Sequence, residues 1–299
     1  MRHTIRLTSP RRFLAVAAGI AATALLLTGC AGQPSPVAKA VSAVAKKTTA
    51  ATSIAMVTPD AGSVSGDGTI TISGTNLGSV KTVDIGGQPA TVQQASASKV
   101  VAVVPAAPNF QPATVGVSLT TASGKAVASD NAYSYQLITP VDRQLNYAMT
   151  YWKNYNTAQY GDLNPVGGDC ANFVSQTLIA RGWTQNAEWY NKNAADEWSP
   201  AWGYVPSMDD YFRSHPELGL TEYPLDQRDK IKVGDLVMFD WNNNNSLDHV
   251  QVVSAVDNVN GKIVIKMAGH NEDTDYRDLD TTITVDHPGA TGHFWSFSK

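Results

Sequence analysis

Val166-Gly167-Gly168-Asp169-Cys170-Ala171-Asn172-Phe173-Val174-Ser175-Gln176-Thr177-Leu178 is the stretch on which the reading of the C-terminal half turns. Two glycines and an aspartate make a turn directly before an apolar series. Phe173, Val174, Thr177 and Leu178 stand at i+3, i+4, i+7 and i+8 from Cys170, one face of a helix that seats on a sheet. Asp169 then stands as a capping residue and Cys170 in the first helical turn. Unpaired backbone N–H groups and the positive end of the helix dipole favour a thiolate there and lower the thiol pKa. The same N–H groups, beginning with that of Cys170, are placed to stabilise an oxyanion.

A helix-start thiol needs a base from elsewhere in the chain. Val233-Gly234-Asp235-Leu236-Val237-Met238-Phe239-Asp240-Trp241 reads as a strand, the asparagines 242 to 245 as a hairpin loop, and Asp248-His249-Val250-Gln251-Val252-Val253 as the returning strand. His249 opens that second strand, with a side chain able to take the thiol proton and later give it to a leaving amine. Asn260-Gly261 is a preferred two-residue hairpin turn. In that register, opposed residue numbers sum to about 521. Gln251 then faces His270, His249 faces Glu272, and His249 and His270 share a face as diagonal neighbours, so that His270 is the expected orienting group. A slip of one residue reverses the assignment, which keeps Asn271 and Asp273 as alternatives for the third position.

Outward from this core, Thr139, Pro140 and Asp142 carry the signature of a helix start. Val141, Leu145, Ala148, Met149 and Trp152 then form one apolar face. The domain opening there, 138–299, holds all seven tryptophans and is the better candidate for a cleft. Its aromatic-rich span, residues 183 to 223 with Trp183, Trp189, Trp198, Trp202, Tyr211 and Phe212, either lines a groove or packs under a long connection, and packing is expected for most of it. Before it, residues 54–137 show about seven short alternating stretches divided by Gly66-Asp67-Gly68, Gly86-Gly87 and Ser123-Gly124, the pattern of an antiparallel sandwich. The order of Ile72-Ser73-Gly74-Thr75-Asn76-Leu77-Gly78, Ile85-Gly86-Gly87, Val104-Pro105 and Tyr133-Ser134-Tyr135 resembles the IPT/TIG immunoglobulin-like domain. That resemblance implies a fold and no chemistry, in a spacer or binding module whose loss leaves the reaction intact.

The N-terminus reads as an export signal. Arg2, Arg6, Arg11 and Arg12 precede an uncharged apolar run from Phe13 to Leu27, too short and too alanine-rich for a lasting membrane span. Leu27-Thr28-Gly29-Cys30 follows and resembles the bacterial lipobox, which implies cleavage after residue 29 and a lipid on Cys30. The expected partner is therefore the membrane, reached through that lipid at its extracytoplasmic face. Residues 30–53 lack large apolar side chains and form a tether with a reach on the order of 25 Å. Of the 22 Lys+Arg, four lie in the signal, and the 18 that remain stand against 26 Asp+Glu. A nucleic-acid partner is excluded on that balance, since no basic field is left to neutralise phosphates. With Cys30 lipidated, Cys170 has no partner for a disulfide, and a lone thiol on an oxidising face points to chemistry.

Gly167-Gly168-Asp169-Cys170-Ala171-Asn172-Phe173-Val174-Ser175-Gln176, the strand at 233 to 236, Asp248-His249-Val250 and Gly269-His270 together resemble the bacterial "Putative amidase domain" family, related to papain-like wall endopeptidases. The resemblance implies hydrolysis of an amide in peptidoglycan stem peptides or cross-links, with Cys170, His249 and a third polar group in action and no cofactor. The family's last block usually reads His-Thr-x-Asp, against His270-Asn271-Glu272-Asp273 here.

The acidic series Asp273, Asp275, Asp278 and Asp280 lacks the glycine and the closing glutamate of a calcium loop, and the histidines lack zinc spacing. The expected architecture is thus multidomain: an all-β immunoglobulin-like sandwich, then an α+β papain-like domain with the cysteine helix packed on an antiparallel sheet. Two functions are carried forward, a cell-envelope cysteine amidase or peptidase, and a tethered wall- or protein-binding lipoprotein whose C-terminal fold is inert. Acyl transfer would use the same thiolate.

Overall fold

The computed structural model describes residues 51–298. The signal segment, Cys30 and most of the tether lie outside the described residues.

Nine strands build the N-terminal sandwich: β1 (Ser53–Thr58), β2 (Ala61–Ser63), β3 (Thr69–Thr75), β4 (Val80–Ile85), β5 (Gln88–Ala95), β6 (Lys99–Val103), β7 (Ala113–Thr121), β8 (Ala126–Val127) and β9 (Ala132–Gln136). They run in the order β1-β3-β6-β5-β4-β7-β9-β2, with β8 on the side of β7, and all pairs are antiparallel except β2 with β9. Alternation supplies the core: Ile70 and Ile72 of β3, Val83 and Ile85 of β4, Val100 and Ala102 of β6, and Tyr133 and Tyr135 of β9 are buried. The two strands beyond the seven read from sequence, β2 and β8, have three and two residues, too short to show a period.

Helix α1 (Pro140–Tyr151) starts as its sequence dictates. Thr139 accepts from the N–H of Asp142, the Asp142 carboxylate returns the bond to the N–H of Thr139, and Pro140 fills the first position. The same carboxylate reaches into the sandwich, accepting from Ser63 Oγ at 2.5 Å, Ser65 Oγ at 2.7 Å and the N–H of Ser65 at 3.1 Å. Burial pushes Asp142 up, but these bonds outweigh it and hold its pKa below the usual carboxylate range. On the next turn Asn146 Nδ2 donates to the carbonyl of Phe110. The sandwich is therefore bonded to the first helix of the following domain, beyond what a spacer requires.

After the single turn α2 (Thr157–Tyr160) comes α3 (Cys170–Arg181). The short pair β10 (Asn191–Lys192) and β11 (Glu197–Trp198) and the helices α4 (Pro200–Gly203) and α5 (Val205–Ser214) follow it. A six-stranded antiparallel sheet closes the fold in the order β12-β17-β13-β14-β15-β16, formed by β12 (Leu220–Pro224), β13 (Leu236–Asp240), β14 (His249–Val259), β15 (Lys262–Gly269), β16 (Thr274–Asp278) and β17 (Thr291–Phe297). Between the last two strands lies α6 (Leu279–Thr281). Helices α1 and α3 lie on one face, over Leu236, Met238, Val250, Val252, Ala268 and Trp295. On the other face Val237, Phe239, Val253, Ile265, Met267 and Phe294 form a separate core under Ile231 and Leu279.

The hairpin at Asn260-Gly261 forms, and from Val259↔Lys262 to Val256↔Ile265 its register is the expected one. Between Val253 and Ala255 it shifts, because Ser254 is a bulge residue without a partner of its own. Beyond it Val253 pairs with Met267 and Val252 with Ala268, each displaced by one from the expected register.

Candidate functional site

Helix α3 is buried on nearly all sides, with every residue from Cys170 to Leu178 inside. Its polar side chains are therefore bonded internally. Asn172 Oδ1 accepts from Trp202 Nε1 at 2.7 Å, Ser175 Oγ donates to the Trp202 carbonyl and accepts from Trp189 Nε1, and Gln176 Oε1 accepts from Tyr147 Oη at 2.7 Å. Asn-Phe-Val-Ser-Gln thus fastens the aromatic layer of residues 183 to 223 to the cysteine helix. Trp189, Trp202, Tyr211 and Phe212 are core, as expected for that span.

Asp169 does not cap α3 with its side chain. Its backbone, at φ −105° and ψ 1°, is not in the extended conformation of a capping residue. Its carboxylate turns inward. Oδ1 accepts from the N–H of Leu163 and from Asn172 Nδ2, both at 2.8 Å, and Oδ2 meets His270 Nδ1 at 2.5 Å. The helix start is capped instead by Asn271, whose Oδ1 accepts from the N–H of Asp169 at 2.6 Å and of Cys170 at 2.9 Å. The Cys170 N–H, expected as an oxyanion donor, is consequently engaged.

Sequence reasoning placed His249 and His270 on one face, and the bulge at Ser254 corrects this. His270 lies on the helix face, fully buried, packed on Phe173 with ring centroids 4.2 Å apart and stacked on Tyr155, with Nε2 at 2.9 Å from the Tyr151 carbonyl. It holds the turn before Cys170 and does not touch His249. Alternation sends Val250 toward the helices and His249 the other way. His249 accordingly pairs across with Phe239, and its ring lies 5.3 Å from Trp241, which itself stacks on His287. Cys170, on α3, thus lies over one face of the sheet and His249 points to the other. Asp273, the other alternative for the third position, accepts from Tyr155 Oη at 2.8 Å. Two more of the acidic series also have partners, Asp278 capping α6 and Asp280 pairing with Arg228 and Lys262.

Electrostatics follow burial. The Cys170 thiol is pushed up to about 11 by burial. The backbone N–H groups of Val250 and Ala171 offset this in part, and the neighbouring Asp169 charge adds to it. The expected depression by the helix start is overridden because only 6 % of the residue is exposed. His249 is driven down to about 3 by burial first, then by the charges of Arg277 and His287, and is neutral. Its Nε2 is buried with no hydrogen-bond partner, as are both amide atoms of Gln251.

Cys170 borders a cleft of about 450 Å³ whose other walls are Val166, Gly167, Gly168, the segments around Trp198 and Tyr204, and the loop Ser246-Leu247-Asp248. Gly167 and Gly168 pass the thiol at φ 132°, a conformation L side chains rarely adopt, and nothing lies within 4 Å of a Cβ built on Gly167. Of the cleft walls, Trp198 belongs to the aromatic span for which a groove was one of two expectations, whereas Tyr204 and Asp248 were not singled out as site residues from sequence, since nothing local marks them as neighbours of Cys170.

Residues 140–295 match the family model described as "Putative amidase domain", and residues 52–135 match the model of the IPT/TIG domain. A curated relative, "Uncharacterized protein YhbB" of Bacillus subtilis (strain 168), is 26 % identical over 143 residues, 46 % of this chain and 42 % of the relative. The chain thus spans less than half the length of that protein. Among solved structures, the Plexin A4 extracellular region aligns with 29 % of this chain and 9 % of its own at 23 % identity and a TM-score of 0.27. An auxiliary nutrient binding protein from Bacteroides thetaiotaomicron aligns with 28 % of this chain and 21 % of its own at 22 % identity and a TM-score of 0.23. No helix of the described residues is long and apolar enough to cross a membrane.

Proposed function

The chain belongs to the "Putative amidase domain" family, which supports a hydrolase, and from this premise we propose that it cleaves an amide through an acyl-enzyme on Cys170. One observation carries the reading: Cys170, the free cysteine among the described residues, borders a cleft at the start of a helix whose first turn is fixed by Asn271 and by the Asp169–His270 pair. Attack by Sγ on the amide carbonyl forms a thioester. The C–N bond breaks as the amine takes the proton released by the thiol, and water then splits the thioester to a carboxylate and returns a proton to sulfur.

His249 is the proposed carrier of that proton. It is neutral, as a base must be, it has a free buried Nε2, and it precedes Val250, whose N–H lies beside the thiol. To meet Sγ its ring has to come over to the helix face, a rearrangement proposed for the first residue of β14. In the same step the Cys170 N–H exchanges Asn271 for the oxyanion. A cysteine helix on an antiparallel sheet, with a histidine opening a strand, supports a papain-like arrangement. Leu27-Thr28-Gly29-Cys30 supports lipid anchoring at the extracytoplasmic face and peptidoglycan peptides as substrate, with 1–29, 30–53, 54–137 and 138–299 as the working division of the chain.

One observation favours the second reading, a tethered binding lipoprotein with an inert C-terminal domain: thiol and imidazole are on opposite faces of β14. Mass analysis of wall fragments exposed to the full-length protein separates the two. Amide-cleavage products that disappear with Cys170→Ala, by about 10⁴-fold or more in rate, support the hydrolase on Cys170. Products unaffected by that change would place the hydrolysis away from Cys170, and no products at all would favour the binder.

A further inference from the structure

The residues around the cleft differ sharply in charge. Val166, Trp198, Pro200, Tyr204, Pro206 and Leu247 make an apolar and aromatic wall, and Val166 and Tyr204 are among the exposed large hydrophobics of the chain. Asp248 is the one charged side chain among the lining residues. It is also held in place. Its Oδ2 accepts from the N–H of Trp241 at 2.8 Å, its N–H donates to the Phe239 carbonyl at 2.7 Å, and the loop leading to it is pinned by Asp240, whose two oxygens accept from the N–H groups of Asn244 and Asn245. Oδ1 of Asp248 has no partner in hydrogen bonds or ion pairs among the described residues. Trp198, another lining residue, packs closely on Gly203, where a Cβ would stand 2.7 Å from its ring.

We propose that Asp248 is a specificity-determining residue that selects substrates bearing a protonated amine beside the scissile amide, an inference that rests on Cys170 being the nucleophile. A carboxylate fixed at one oxygen and open at the other, on a wall otherwise without charge, offers an alkylammonium a charge-assisted hydrogen bond. The aromatic faces of Trp198 and Tyr204 add attraction for a cation and none for an anion. A bound peptide displaces water from this wall, so the pair forms in a drier setting than an exposed surface ion pair. The amine is either the α-amine of a short peptide or the side-chain amine of a diamino acid, and the chemistry of recognition is the same for both.

The test uses the full-length protein with alanyl-alanine amide and its N-acetyl form, and with Nα-acetyl-lysyl-alanine amide and its Nε-acetyl form. The first pair reports an α-amine, the second a side-chain amine. The expected result is a kcat/KM ratio of about tenfold or more for the free amine in at least one pair. That ratio should fall toward one in Asp248→Asn, which keeps an oxygen for the Trp241 N–H, and reverse toward neutral peptides in Asp248→Lys. The same ratios are read as affinities by calorimetry in Cys170→Ala. If none of the peptides is turned over but the free amines still bind better in an Asp248-dependent way, the hydrolase reading fails while the selectivity stands. If amine and acetyl forms are handled equally in both pairs, or the preference survives in Asp248→Asn, the selectivity is overturned even if Cys170 is the nucleophile.

Discussion

The two faces of β14 treat their polar groups differently. On the helix face, around Cys170, Asp169, Asn172, Ser175, Gln176 and His270 are all buried and all bonded, and Asp169, Asn172 and His270 fix the turn that carries Cys170, while Gln144 Nε2 and Arg181 Nη2 toward the other end of α3 are buried without partners. On the opposite face His249 Nε2 and the Gln251 amide are equally buried and unbonded. A buried polar group without a partner costs about 1–3 kcal/mol. The Cys170 end of the first face is therefore a finished scaffold and the second face a place where rearrangement recovers energy. This contrast leaves the thiol held by a bonded turn and its proposed base without a hydrogen bond at Nε2, and it makes the second face the one to perturb.

The largest effect is expected on the finished face. His270→Ala leaves the Asp169 carboxylate buried without its imidazole, and Asp169→Ala leaves His270 in the same position, so each is expected to destabilise by about 3–5 kcal/mol. The double variant should lose less than the sum. Urea midpoints check this. Midpoints within error of the wild type would mean that the pair does not fix the turn.

A smaller loss is expected where α1 meets the sandwich. Asp142→Ala removes an acceptor shared by Ser63, Ser65, Ile138 and Thr139 and should cost about 1–3 kcal/mol. Because the folded pKa of Asp142 is lowered, its contribution is present above the ordinary carboxylate range and fades as pH falls through the folded value. Stability of the wild type and of Asp142→Ala should therefore converge in strong acid, which thermal melts at neutral and acid pH would show. A constant gap at all pH values would contradict the assignment.

The smallest effect lies on the unfinished face. Neutral His249 has a folded pKa of about 3 against an unfolded value near 6.5. Its burial costs nothing extra above pH ~6.5 and progressively destabilises the fold as pH falls from there toward ~3. His249→Phe should be as stable as the wild type or about 1 kcal/mol more so at pH 7, with a wider margin at pH 5. It should also lose turnover if His249 carries the proton. Equal stability margins at pH 7 and pH 5 would mean that the imidazole titrates as if solvated, and the contrast between the faces would dissolve.

What was legible in the sequence was local. The helix start at Thr139, Pro140 and Asp142, the start of α3 at Cys170 and the turn at Asn260-Gly261 follow from short-range chemistry, and all three form. The site was legible only as a set of residues. Ser254 carries no mark of a bulge, yet one extra residue there turns the hairpin's far end by one position. Gly269 now lies against Gln251, and Asn271 comes within reach of the Cys170 N–H. The partner of Asp169 was hidden for a related reason. A helix-start aspartate reads as a cap, and nothing nearby in sequence announces a buried histidine a hundred residues on.

The intact mass of the protein, quenched in acid during turnover of an amine-bearing peptide amide, addresses the central claim most directly. The expected result is an acyl adduct that fragmentation maps to Cys170. It should accumulate when water attack is slowed and be absent in Cys170→Ala. Turnover without any adduct on Cys170, or turnover that persists in Cys170→Ala, would contradict it.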